Sequence, residues 1–363
     1  MSLLNKIFKS KEQPIRSYDD FWNWFAKNER SFHKAVKDHI NIEKDFFDRL
    51  SPKLDELKEG FWFVAGMYDE KTAELVITAE GEIKNIVFVE ELIAAAPQLD
   101  GCKFTALKPA LDVSDVSIEM SEYNFSEENL KFYSNDNADF PDEIDITIVH
   151  EDYTEEDHAV ITNGVFIFLD NYLGELDFVT TIDNMTVTGR KQAEKELIPI
   201  DKLKNFLIWR QKEFIEKYEG LRHDIDNDNY SILEAELESG NPLIAVINTD
   251  LMEWDRKASH PWIVTVEIPY DGKNNNGMPD ESTYQLLDKV EQNLSEVLQA
   301  PDGYLNIGRQ TANSMREIYF ACRDFRKPSK VLDKIRNYYA GQLKVSFDIS
   351  KDKYWRFLDR FNS

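Results

Sequence analysis

The chain has 363 residues and carries 68 Asp and Glu against 43 Lys and Arg, a formal net charge of −25. That excess of carboxylates argues against nucleic acid as a direct partner, since such binding draws on phosphate neutralisation by Lys and Arg. Apolar residues at 42% argue against a disordered chain, and the length exceeds what one core usually supports, so two domains are expected.

Residues 1–16 read as an N-terminal tail, in which Leu3, Leu4, Ile7 and Phe8 stand among Lys6, Lys9 and Lys11. The apolar run is too short for a secretory segment, and no stretch approaches the roughly 18 apolar residues of a membrane span, so a cytoplasmic location is expected. From Ser17 to Leu57, Phe21, Trp22, Phe25, Phe32, Val36, Phe46 and Leu50 recur at three- and four-residue steps, which predicts helices. Two strands, Phe61 to Met67 and Glu74 to Thr78, flank a polar turn; a helix from about Asn85 to Ala96 and a strand from Lys103 to Leu107 follow. Glu143 to His150 reads as a strand, and Thr154 opens a helix that runs to Leu173 and stops at Gly174. Phe178 to Thr188 alternates as a strand would, and Ile200 to Tyr218 returns to a helix. This acidic α+β domain is bounded at 17–219.

Residues 220–259 read as a linker with a hairpin turned at Gly240-Asn241-Pro242. From His260 the pattern is clearest. Trp262, Val264, Val266, Ile268 and Tyr270 alternate with neighbours of the opposite face. A helix after Pro279, strands at Tyr304 to Thr311 and Arg316 to Arg323, a second helix and a strand through Val345, Phe347 and Ile349 complete the order β-α-β-β-α-β. The expected fold class is α+β, with two α/β-sandwich domains of which the second, 260–363, is a ferredoxin-like split β-α-β.

Charge is segregated. Between Lys108 and Arg190 twenty acids face one base, Lys131; from Arg309 to Arg360 thirteen Lys and Arg face six acids. The acids Asp142, Glu143, Asp145, Glu155, Glu156 and Asp157 are the candidate surface for a basic protein partner.

Catalytic motifs are missing from the sequence: no GxSxG, P-loop, GxGxxG or HExxH occurs. His150 and His158 stand among carboxylates, but a strand end followed by a charged helix start explains them without a metal. Asp224, Asp226 and Asp228 have the spacing of the first ligands of a calcium loop, yet Asn229 and Ala235 fall where Gly and Glu are required, so an acidic linker is the better account. No cofactor is expected. Cys102 and Cys322 lie far apart in apolar surroundings and are expected to stay reduced. Arg309, Arg316, Glu317 and Tyr319 lie on two strands expected to pair. They form either an anion or ligand site of two guanidinium forks or a cross-strand ion network on the sheet.

The stretch from His260 to Phe361 resembles a bacterial family catalogued as a domain of unknown function, number 695. The likeness rests on Ile268-Pro269-Tyr270, Asn276-Gly277-Met278-Pro279, Glu291, Gly308-Arg309, Thr311, Arg316-Glu317, Tyr319, Phe320, Asp324, Asp352 and Trp355. The pieces Ile77-Thr78-Ala79, Ala96-Pro97, Leu107-Lys108-Pro109 and Leu169-Asp170 through Leu173-Gly174-Glu175 look like a companion module of similar bacterial proteins. The resemblance implies no activity or cofactor. The leading expectation is a non-enzymatic, protein-binding or regulatory protein. The alternatives are a small-molecule-binding or hydrolytic enzyme with its site at the domain interface, and an acidic inhibitor of a basic nuclease. The sequence does not determine the oligomeric state.

Overall fold

A computed structural model describes residues 14–361; the expected tail, 1–16, lies almost wholly outside the described residues. The chain is a mixed α+β protein, and the contacts of the described residues group them into two units, one of residues up to 111 with 173–176 and the other of residues 112–172 with those from 177 onward.

In the first unit α1 (Tyr18–Asp38) begins at Ser17, whose hydroxyl accepts from the Asp20 amide at 3.1 Å, an ordinary N-cap. A π-helical turn (Glu43–Phe47) leads into α2 (Asp48–Leu57). Strands β1 (Trp62–Met67) and β2 (Ala73–Thr78) form the expected antiparallel hairpin, and α3 (Ile83–Ala94) carries the chain across to β3 (Cys102–Ala106), parallel to β2. The core is aromatic: Phe21, Trp22, Phe25, Phe32 and Phe46 are buried with Leu50, Ile77 and Leu92.

In the second unit β4 (Ile118–Met120) and β5 (Tyr123–Phe125) make a small ribbon. A four-stranded sheet follows, ordered β8-β7-β6-β9, from β6 (Leu130–Asn135), β7 (Asp145–His150), β8 (Asn184–Gly189) and β9 (Ile198–Pro199). Helices α4 (His158–Leu173) and α5 (Glu175–Thr181) connect β7 to its parallel neighbour β8, and α6 (Leu203–Tyr218) follows β9. The strand expected from Phe178 to Thr188 is therefore half helix. Gly174, at φ +82°, ends α4, and the buried Glu175 starts a new helix whose tertiary anchoring overrides the alternation of Phe178 to Thr181.

The largest element is a six-stranded antiparallel sheet ordered β10-β11-β13-β14-β12-β15. It comprises β10 (Tyr230–Glu236), β11 (Pro242–Asn248), β12 (Trp262–Pro269), β13 (Tyr304–Ala312), β14 (Met315–Cys322) and β15 (Ser346–Lys351). Helix α7 (Thr249–Met252) lies between β11 and β12; α8 (Glu281–Val297) precedes β13, and α9 (Arg326–Tyr339) precedes β15. The hairpin of the expected linker thus supplies two strands to this sheet. Both cysteines are free thiols, and among the described residues no helix is long and apolar enough to cross a membrane.

Candidate functional site

Strand alternation decides what the two arginines can reach. In the β13–β14 register Arg309 stands opposite Ile318 and Thr311 opposite Arg316, so both guanidinium groups leave the same face, toward α8. There Arg309 donates to both oxygens of Glu291, at 3.2 and 3.1 Å. Arg316 donates to Asp288 at 3.2 Å, lies 3.8 Å from Glu291 and sits 5.4 Å from the Tyr284 ring. Burial by itself would lower the Arg309 pKa; attraction to Glu291 and its hydrogen bonds outweigh that and raise it. Arg316 is 1% exposed, and its Nε finds no hydrogen-bond partner among the described residues.

Gly308 is what allows this placement. The register shifts at Asn306/Gly308, the glycine has φ +142°, and a Cβ there would meet the Val246 carbonyl oxygen at 2.1 Å.

Glu317 and Tyr319 leave the opposite face. Glu317 accepts from Gln310 at 3.0 Å and from the Tyr319 hydroxyl at 2.7 Å, and Arg360 donates to that hydroxyl at 2.5 Å. Burial first, then the bond to Glu317, raises the Tyr319 pKa. The four residues therefore form two networks on two faces. On the α8 face the two guanidinium groups are already matched by two carboxylates, so an anion arriving there would meet Asp288 and Glu291 as well.

The six acids of the candidate partner surface also divide. Asp142 accepts from Lys217 at 2.7 Å, from Tyr218 at 2.7 Å and from Tyr354 at 3.1 Å. Burial opposes ionisation, but those bonds prevail and lower its pKa. Glu143 is buried; Arg356 lies 2.8 Å and Asn184 2.7 Å from its carboxylate, and desolvation raises its pKa. Next to them Asp183 receives Lys351 and Lys353, each at 2.7 Å, and the Ile144 amide at 2.7 Å. Burial brings the Lys351 ammonium down to a pKa of about 8. The basic end of the chain thus meets part of the acidic segment inside the second unit. Asp145 accepts from Asn135 at 2.9 Å and Asp157 from Tyr123 at 2.8 Å, whereas Glu155 and Glu156 are exposed.

Two buried polar centres were not legible in the sequence. The Glu175 carboxylate, fully buried, accepts from the Thr78 hydroxyl at 2.6 Å and from the amides of Ala79, Gly81 and Lys108 at 3.0, 3.0 and 3.1 Å. The short motifs around Thr78-Ala79, Lys108 and Gly174-Glu175 thereby converge on one carboxylate, although they lie up to 97 positions apart. The second centre is His260, fully buried, with Nδ1 2.8 Å from the Ser259 hydroxyl and Nε2 without a hydrogen-bond partner among the described residues. Burial, with His223 and Arg222 nearby, pulls its pKa down to about 3, so the ring is neutral.

His150 is buried, with Nε2 2.9 Å from the Asn124 carbonyl and Nδ1 accepting from the Asp152 amide, while His158 meets Tyr153. Asp228 pairs with His223 and Asn248. Among the described residues no group of three or more His, Cys, Asp or Glu is arranged to hold a metal ion. A cavity of about 20 Å³ in the first unit, lined by Phe25, Phe32, His33, Phe46 and Cys102, has room for little more than a water molecule. Burial raises the Cys102 thiol to about 11, which suits packing and not nucleophilic attack.

Residues 235–361 match the model of a family described as "Family of unknown function (DUF695)". No curated protein and no solved structure matches the chain.

Proposed function

We propose that this chain is a protein-binding or regulatory protein of the bacterial cytoplasm that engages a basic partner through the acidic face of its second unit. The observation that carries the reading is the division of charge within that unit. Lys351, Lys353 and Arg356 are engaged by Asp183 and Glu143, while Glu119, Glu122, Glu127, Glu128, Asp136, Asp139, Glu155 and Glu156 remain exposed. A negative field of that kind speeds encounter with a basic protein and fades with salt, as the Debye length falls from about 10 Å at 0.1 M to about 3 Å at 1 M. The order β12-α8-β13-β14-α9-β15 further supports a ferredoxin-like split β-α-β for the C-terminal sheet, widened by β10 and β11.

The test is a salt-series pull-down from bacterial lysate, comparing wild type with a variant in which Glu122, Glu127, Glu128, Glu155 and Glu156 are all changed to Gln. Asp142 and Glu143 stay unaltered, since their side chains hold the fold. Loss of salt-sensitive partners from the variant is expected. An unchanged partner set with unchanged salt dependence refutes the reading.

A further inference from the structure

Strand β10 is an edge of the six-stranded sheet, hydrogen-bonded to β11 on one side. The pairing phase shows which backbone groups the other side presents. The Leu237 amide bonds to the Asn241 carbonyl and the Thr249 amide to the Asn229 carbonyl, each one position beyond the β10–β11 register and in phase with it. In an antiparallel ladder such bonded positions recur every second residue. Positions 229, 231, 233, 235 and 237 therefore face β11, and the N–H and C=O groups of Tyr230, Ile232, Glu234 and Glu236 point outward. Among the described residues no backbone partner meets them there.

The side chains of the same four residues lie on one face, and all four are exposed, Ile232 by 69% and Tyr230 by 47%. An edge that serves only its own sheet is usually blunted by a bulge, a proline, charged side chains or a covering element; β10 carries the charges of Glu234 and Glu236, which repel an acidic strand and attract a basic one. Here seven consecutive residues pair with β11 without a register shift, no proline interrupts β10, and its exposed large hydrophobics include Ile232.

We infer that the free edge of β10 takes up an extended, Lys- or Arg-bearing segment of a partner protein as an added strand. Main-chain bonds from Tyr230 to Glu236 would hold the segment; apolar side chains would cover Tyr230 and Ile232, and basic ones would meet Glu234 and Glu236. Charge selects this occupant over a second copy of the chain. Between Asp224 and Asp255 stand nine acids and no Lys or Arg. Twofold self-pairing is antiparallel, so it would run the Glu234–Glu238 end of one strand against the Asp224–Asp228 end of the other, acid upon acid. The inference rests on the reading of the chain as a protein-binding molecule, but it concerns a surface separate from Glu122, Glu127, Glu128, Glu155 and Glu156.

The experiment uses the full chain and a fluorescent, acetylated peptide, Lys-Thr-Lys-Thr-Val-Thr-Val, read by anisotropy at low ionic strength. Its control is the same peptide with the Lys and Val amides N-methylated, which keeps the side chains and removes the bonds to β10. The decisive variant is Glu234→Pro: the Glu234 amide points away from β11, so proline removes the outward donor and no native ladder bond. Its folding is checked by circular dichroism. A second variant, Glu234→Lys with Glu236→Lys, reverses the charge while leaving the backbone free. Wild type is expected to bind the unmethylated peptide. N-methylation, proline and charge reversal are each expected to weaken binding by about tenfold or more. Amide exchange of residues 230–236 should slow in the complex. No binding by wild type overturns the inference, as does equal binding by the methylated peptide or by Glu234→Pro. Sedimentation showing a dimer that Glu234→Pro abolishes overturns it as well, since the edge then belongs to a second copy. If the peptide fails while the acidic face still captures its salt-sensitive partners, strand addition alone is lost and the broader proposal stands.

Discussion

Changing Asp183 to Asn removes the negative charge shared by two buried ammonium groups while nearly keeping the side chain's volume. Lys351 and Lys353 each approach that carboxylate to 2.7 Å, and their side chains are 13% and 3% exposed. Taking one partner from a buried ion pair costs about 3–5 kcal/mol, because the charge left behind has lost its compensation without regaining water. Lys351 can relieve part of this loss. Its pKa of about 8 means that it can release its proton, and at pH 7 that release costs only about 1.4 kcal/mol, which caps its share of the loss. Most of the remaining cost falls on Lys353, whose other acceptor is the Asp142 carbonyl at 2.6 Å. Urea unfolding at pH 7 should therefore show Asp183→Asn less stable than wild type by about 3–5 kcal/mol, out of the roughly 5–15 typical of a folded protein. At pH 9 Lys351 is largely neutral in both proteins, so the difference should shrink by about 1 kcal/mol, and it should not shrink when Lys351 is changed to Met. A loss below about 1 kcal/mol at pH 7 would mean that Asp183 is not the hub of this network.

Acid should expose His260. The folded protein holds this ring neutral down to about pH 3, whereas the unfolded chain protonates it near 6.5, so below 6.5 unfolding takes up a proton and stability falls as pH falls. Between pH 6.5 and 4.5 the slope should approach about 1.4 kcal/mol per pH unit. His260→Gln should flatten it; an unchanged slope would assign the acid sensitivity to other groups. Gly308→Ala should cost about 3 kcal/mol or more by thermal unfolding, because the new methyl would displace the Val246 carbonyl at a backbone angle that L-residues avoid. Undiminished stability would remove the bulge from the account of how Arg309 is placed.

Periodicity along the chain determined a good deal. The alternation of Trp262 to Ile268, the apolar stripe Leu287, Val290 and Leu294 and the strands on either side of Asn313-Ser314 all appear where their spacing put them. These are local properties: a strand with one buried face must alternate, and a helix with one buried stripe must repeat at three and four residues. The shared face of Arg309 and Arg316 follows from the same rule once their strands pair.

Only the tertiary structure decided the rest, because it depended on which surfaces meet. Glu317 and Tyr319 were grouped with the arginines by nearness in sequence, and strand alternation sends them through the sheet to Arg360. Asp142 and Glu143 looked like free surface charge until Lys217, Tyr354 and Arg356 came to them from far along the chain. The start of α5 at Glu175 depends on amides near residues 79 and 108, so no pattern confined to Phe178–Thr188 could disclose that helix. A buried charge is settled by the partner that compensates its lost hydration, and that partner is chosen by the fold and not by its neighbours in sequence.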